Sequence, residues 1–100
     1  MRINIPSVSR TYRGSLEFQY EMNGGVRHTT CILRSFENKA DEEGVVISQQ
    51  TVVRNRKDAD VKSLARKAAL TKALSVDKAV FDKTTRQSIW QQYFSHIGQG

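Results

Sequence analysis

From Leu16 to Met22 apolar and polar residues alternate without a break: Leu16, Phe18, Tyr20 and Met22 point one way, Glu17, Gln19 and Glu21 the other. Successive side chains of a strand leave on opposite faces, so this period of two predicts a half-buried β-strand. Asn23-Gly24-Gly25 then supplies residues that tolerate positive φ, and Val26 to Arg34 returns as a run rich in Val, Thr, Ile and Leu. The two runs and their turn predict a β-hairpin. On the return strand Val26, His28, Thr30 and Ile32 share one face and Arg27, Thr29, Cys31 and Leu33 the other, and this strand alone does not mark which is buried.

The flanking segments extend the sheet. Arg2 to Ile5 alternates, with Ile3 and Ile5 on one side, and Pro6 removes a backbone donor, which predicts a short edge strand. Ser7 to Gly14 is polar, with Arg10, Tyr12 and Arg13 close together, and reads as a second extended segment that Gly14 breaks. Ser35 to Gly44 has no apolar period beyond Phe36 and reads as a mobile surface loop. Val45 to Val53 resumes with β-branched residues and predicts a further strand, its Gln49-Gln50 pair marking a bend or a solvent-facing patch.

After Val53 the period changes to that of helices. Arg54 to Leu74 (RNRKDADVKSLARKAALTKAL) is a basic lead-in followed by the most helix-prone run of the chain. Asp58 and Asp60 cap free backbone N–H groups and meet the positive end of the macrodipole, so the helix is expected to begin at Ala59 or just after. Val61, Leu64, Ala65 and Ala68 fall on one face at spacings of three and four, and that face is expected on the sheet. Leu70 and Leu74 fall nearly opposite and are expected to meet the next helix. Ser75 to Thr85 connects the two, with Val80 and Phe81 placed to enter the core and Asp82 or Thr84 to cap the last helix. In that last helix Ile89, Trp90, Tyr93, Phe94 and Ile97 form an aliphatic and aromatic stripe, and Gly98-Gln99-Gly100 is a frayed tail. The expected architecture is one α+β domain over residues 1–100, β-rich over 1–53 and helical over 59–97. An antiparallel sheet of three to four strands is followed by two C-terminal helices packed together on one face.

Composition narrows the function. One hundred residues hold one modest core. A formal charge of +6 and a pI near 9.8 favour an anionic partner: nucleic acid, a nucleoprotein or an acidic protein face. The single cysteine, Cys31, excludes an internal disulfide framework, fits a reducing cytosol and leaves no Cys/His set for structural zinc. The first residues lack a secretory apolar segment and no run is of membrane-spanning length, so the expected location is the cytoplasm.

Candidate catalytic constellations do not assemble. Cys31 is three residues from His28 on a strand, which sends the two side chains to opposite faces, so a buried thiol is the better reading. Glu17 and Glu21 share a strand face with Cα atoms about 13 Å apart, too far for a glycosidase pair. No Walker A, Rossmann, HExxH or EF-hand spacing occurs. The expectation is a non-enzymatic protein without cofactor or metal. The row Trp90, Tyr93, Phe94 is either a stacking platform for bases or a packing face, and packing is favoured because a small domain rarely leaves such a row in water. The strongest lead is the basic cluster. Arg54, Arg56 and Lys57 at the helix entry, with Lys62 and Arg66 four apart on one flank, could track a phosphate backbone or fasten to an acidic surface. Arg10, Arg13, Arg27 and Arg34 would extend it if the sheet presents them on the same side.

Two resemblances are carried by these residues. Three strands and the helix DADVKSLARKAALTKAL are similar to the second half of a double-stranded RNA-binding domain. The chain departs from that family by opening with RINIP rather than a helix and by placing Asp58 and Asp60 where the family has lysines. Over residues 54–94, KDADVKSLARKAALTKAL followed by TTRQSIWQQYF resembles the C-terminal part of short phage-encoded early proteins of the anti-defence, anti-CRISPR-like type. That resemblance implies a small protein that binds and inhibits a host nucleoprotein defence complex. The alternatives are a nucleic-acid-binding regulator or replication accessory protein, and a structural virion component, which would self-associate.

Overall fold

The computed structural model describes residues 1–5, 13–53 and 62–98, and of Lys62, Ile97 and Gly98 the backbone only. Its elements are β1 (Arg2–Ile3), β2 (Arg13–Asn23), β3 (Val26–Phe36), β4 (Val45–Val53), α1 (Lys62–Ala73) and α2 (Lys83–Gly98). The strands form one antiparallel sheet in the order β1-β2-β3-β4, and the two helices lie on one face of it, the α+β arrangement expected.

The hairpin closes with Asn23 opposite Val26 around Gly24 and Gly25, whose φ values of 61° and 80° are those a two-residue turn of the I′ kind requires. Leu16 lies opposite Leu33 and Phe18 opposite Cys31, which settles the buried face of β3: Thr29, Cys31 and Leu33 turn to the helices. Ile32 is also buried, on the other face. Toward the turn of the hairpin Tyr20 and Met22 are exposed. Gly14 does not break the chain. It lies inside β2 opposite Ile3, and a Cβ there would come within 2.7 Å of Ile5 Cδ1, so glycine lets the Ile5 side chain cross the strand. Pro6, the segment 6–12 and the expected helix start with its caps Asp58 and Asp60 lie outside the described residues.

Between Leu33 and Arg34 the ladder with β4 shifts by one residue, which leaves Ile47 unpaired. This bulge, ahead of the Gln49-Gln50 pair, lets both Ile47 and Ser48 reach the helical side. Ile47 packs on the core, and the Ser48 hydroxyl donates to the Ala73 carbonyl at 2.7 Å, satisfying one of the open acceptors at the end of α1. The loop after β3 is organised by Asp41, whose carboxylate accepts from the N–H groups of Gly44 and Glu37. These bonds hold its pKa below the usual carboxylate range.

The face of α1 on the sheet is rotated from the one the spacing predicts. Leu64 is 62% exposed, Ala68 is exposed and Ala65 half-buried, whereas Ala69, Leu70, Ala73 and Leu74 are buried, and Val61 lies outside the described residues. These four join Ile3, Ile5, Leu16, Cys31, Leu33, Phe81, Ile89 and Tyr93 in one core. Phe81 is fully buried and Val80 partly so, as expected for the connector. Asp82 caps α2 by accepting from the Thr85 N–H at 2.8 Å. Gln92 clamps α2 to the sheet edge: its side-chain oxygen accepts from the Asn4 N–H at 2.6 Å and its nitrogen donates to the Asn4 carbonyl at 2.8 Å.

Candidate anionic-partner interface

Charge is divided between the two layers. Residues 1–53 carry six Lys/Arg and six Asp/Glu, whereas residues 62–98 carry Lys62, Arg66, Lys67, Lys72, Lys78, Lys83 and Arg86 against Asp77 and Asp82 alone. Both of those acids serve the backbone, Asp82 as the cap of α2 and Asp77 by accepting from the Ala79 N–H at 2.9 Å. The helical layer therefore carries most of the +6 and presents no acidic side chain along either helix.

A cleft of about 260 Å³ runs between the helices, lined by Thr71 and Ser75 of the first helix and its end and by Lys83, Arg86, Gln87 and Trp90 of the second. Thr71 and Ser75 donate their hydroxyls to carbonyls one turn back, at 2.8 and 2.7 Å, which leaves their oxygens with lone pairs but the cations as the charged lining. Farther along α2, Trp90 stacks on Phe94 with centroids 5.5 Å apart and planes 22° from parallel, and Lys67 Nζ lies 5.6 Å from the Phe94 centroid. Phe94 is 47% exposed and Trp90 half-buried. From Lys83 to Phe94 the face spans about 16 Å at 1.5 Å per residue, with cations at one end and an aromatic pair at the other.

The residues that the sequence points to are dispersed. Arg54, Arg56 and Lys57 lie outside the described residues, and Lys62 opens α1 with its side chain outside them as well. Arg66 does not line the cleft. It lies in a separate groove between the helices and β2, where its Nη1 donates to Tyr20 Oη at 3.4 Å. The oxygens of Tyr20 and then Tyr93 hold its proton more firmly than usual. Arg13 and Arg34 do not extend the helical patch: the alternation of β2 and β3 turns both to the opposite face, where Arg13 covers the Phe36 ring at 4.2 Å and Arg34 pairs with Glu17 at 3.4 Å. Lys83 and Arg86 stand outside the basic run that sequence density marks. Their signal is the spacing of Lys83, Arg86, Trp90 and Phe94, which repeats every three or four residues along one helix face.

Cys31 is fully buried, and burial pushes its thiol up to about 12, while His28 is on the other face of the sheet. Among the described residues no three His, Cys, Asp or Glu side chains are grouped to hold a metal ion, and no helix is long and apolar enough to cross a membrane. No protein-family model matches the chain, and neither a curated protein nor a solved structure is significantly similar to it.

Proposed function

We propose that this protein acts by binding, with the outer face of its two helices as the contact surface for a partner rich in phosphate. We further propose that this partner is a host nucleoprotein defence complex, which the protein blocks in the manner of an anti-CRISPR inhibitor. The observation that supports binding is the segregation of charge into the helical layer, beside the stacked pair of half-buried Trp90 and exposed Phe94. The inhibitory role rests on the resemblance of residues 54–94 to phage early proteins. Purified protein is mixed with assembled CRISPR effector complexes, and co-migration and target-DNA binding are measured. The expected result is a stable complex that prevents target binding and is lost on Lys83→Glu/Arg86→Glu. Effectors that neither bind the protein nor lose activity would reject the inhibitory role.

Direct nucleic-acid binding, as a regulator or replication accessory protein, is the second reading, favoured by the stacked pair because every base presents a π-face to such a platform. With Lys67, Lys83 and Arg86 each neutralising one phosphate, log Kobs against log salt on a single strand should fall with a slope of about −2. Removing one of these cations should reduce the slope by about 0.7. An absence of any electrophoretic shift at low salt excludes it.

A further inference from the structure

The helical cleft leaves one constellation without a task. Between β2 and the helices lies a groove of about 640 Å³, within the size range of small-ligand sites. Leu16, Phe18 and Tyr20 form its sheet wall, and Arg66, Tyr93 and His96 its helical wall. Tyr93 is 1% exposed, and the proton of its buried hydroxyl finds no acceptor among the described residues. Arg66 Nε is likewise buried without a partner. Tyr93 Oη accepts from the Arg66 guanidinium and so favours its charge, but arginine has no acceptor, so the phenolic proton has nowhere to go within the pair. Among the described residues Glu17 is the one acidic residue at the rim, and it directs its carboxylate to the opposite face and Arg34. The groove thus offers positive charge and donors without acceptors above an apolar wall, and among the described residues no carboxylate accepts from them.

We infer that this groove binds a small organic oxyanion, with a carboxylate or phosphate monoester head between Arg66 and Tyr93 and an apolar body against Phe18 and the Tyr20 ring. An acceptor-only head satisfies both orphaned donors at once, and hydrogen bonds to ionised groups are the strong ones. A neutral or cationic molecule would leave the guanidinium uncompensated. The inference is independent of the helical cleft, which shares none of these side chains.

The full chain is titrated with benzoate, phenyl phosphate and benzyl alcohol by calorimetry, with proton NMR tracking the Tyr93 and His96 ring resonances. At least one of the two anions is expected to bind and shift both rings, and the stronger of the two identifies the head group. Benzyl alcohol is expected not to bind. Tyr93→Phe and Arg66→Gln should each weaken the preferred anion by about tenfold or more, the effect of one hydrogen bond to a charged group. Failure of both anions to bind at millimolar concentration overturns the inference. Equal binding of benzyl alcohol does so too, as does unchanged affinity in both variants. If Tyr93→Phe proves unfolded by circular dichroism, Arg66→Gln and the wild-type ring shifts decide alone.

Discussion

Replacing Tyr93 with Phe removes one oxygen from the core and, because that oxygen is an orphan, should stabilise the ligand-free protein. The ring makes edge contacts with Phe18 at 5.9 Å and Trp90 at 5.9 Å, and both survive in phenylalanine. What is lost is a buried hydroxyl whose proton finds no acceptor among the described residues. An unsatisfied buried hydroxyl costs about 1–3 kcal/mol. The void left by one oxygen, on the order of 10 Å³ at about 24 cal/mol per Å³, costs only about 0.2 kcal/mol. Weaker support of the Arg66 charge takes back a further part, so the net gain is about 1 kcal/mol. For a domain of this size that raises Tm by about 4–8 °C. Urea unfolding followed by far-UV circular dichroism, with wild type and variant compared at equal m-value, measures it. A control, Tyr93→Leu, loses the ring contacts and should cost about 2–3 kcal/mol. If Tyr93→Phe is instead destabilised by about 1 kcal/mol or more, the size of a lost hydrogen bond, the hydroxyl is satisfied in solution and the groove has lost its orphan donor.

Three further outcomes are expected from the fold. Gly14→Ala forces a methyl to within 2.7 Å of Ile5 Cδ1 and 3.2 Å of the Ile3 carbonyl, so overpacking of about 1–3 kcal/mol outweighs the about 0.5–1 kcal/mol gained on replacing glycine in a strand; combined with Ile5→Ala in urea denaturation, the loss should be smaller than the sum of the two single losses. Cys31 should resist alkylation by iodoacetamide in native protein at pH 8 and react fully in denaturant, since burial both hides the thiol and raises its pKa to about 12, and rapid native labelling would show that the sheet opens there. The Thr85 backbone and then its hydroxyl depress the Asp82 pKa, so its contribution is complete above the unfolded value of about 3.9 and disappears as pH falls through the lower folded value; Asp82→Asn should keep the cap at pH 7 and flatten the acid limb of Tm against pH, whereas Asp82→Ala should lower Tm at pH 7.

The hairpin is legible in the sequence because two independent signals agree: the alternation from Leu16 to Met22 and a turn that only residues tolerant of positive φ can make. The rotation of α1 is not. Its apolar residues, Leu64, Ala65, Ala68, Ala69, Leu70, Ala73 and Leu74, wrap more than one face, so two overlapping stripes satisfy the helical period. What decides between them lies outside the helix, in Ser48 bonding the Ala73 carbonyl and in Phe81 and Ile89 joining the same buried cluster as Leu70 and Leu74. The place of Arg66 is hidden for the same reason, since its neighbours Tyr20 and Tyr93 come from a strand and another helix. A basic run such as 54–66 draws attention by density, whereas the sparser Lys83 and Arg86 gain meaning only once the second helix is seen beside the first.

The aromatic stripe of α2 is where period alone misleads most and where the reading can be tested most directly. Thr85, Ile89 and Tyr93 recur every four residues and are all buried, while Arg86, Trp90 and Phe94 recur every four residues one position later and line or flank the cleft. One position is about 100° of rotation, so what reads as a single stripe is two, the first closing the core and the second facing outward. Ile89→Ala should then cost about 2–5 kcal/mol, as truncation in a packed core does. Phe94→Ala, at a side chain nearly half exposed, should cost well under half of that yet weaken nucleic-acid or nucleoprotein binding, because it removes one stacking ring at about 1–3 kcal/mol per base. Chemical denaturation and binding assays on the same two preparations separate the roles. Equal stability losses would mean that Phe94 is part of the core, and the outer stripe would then be packing rather than a platform.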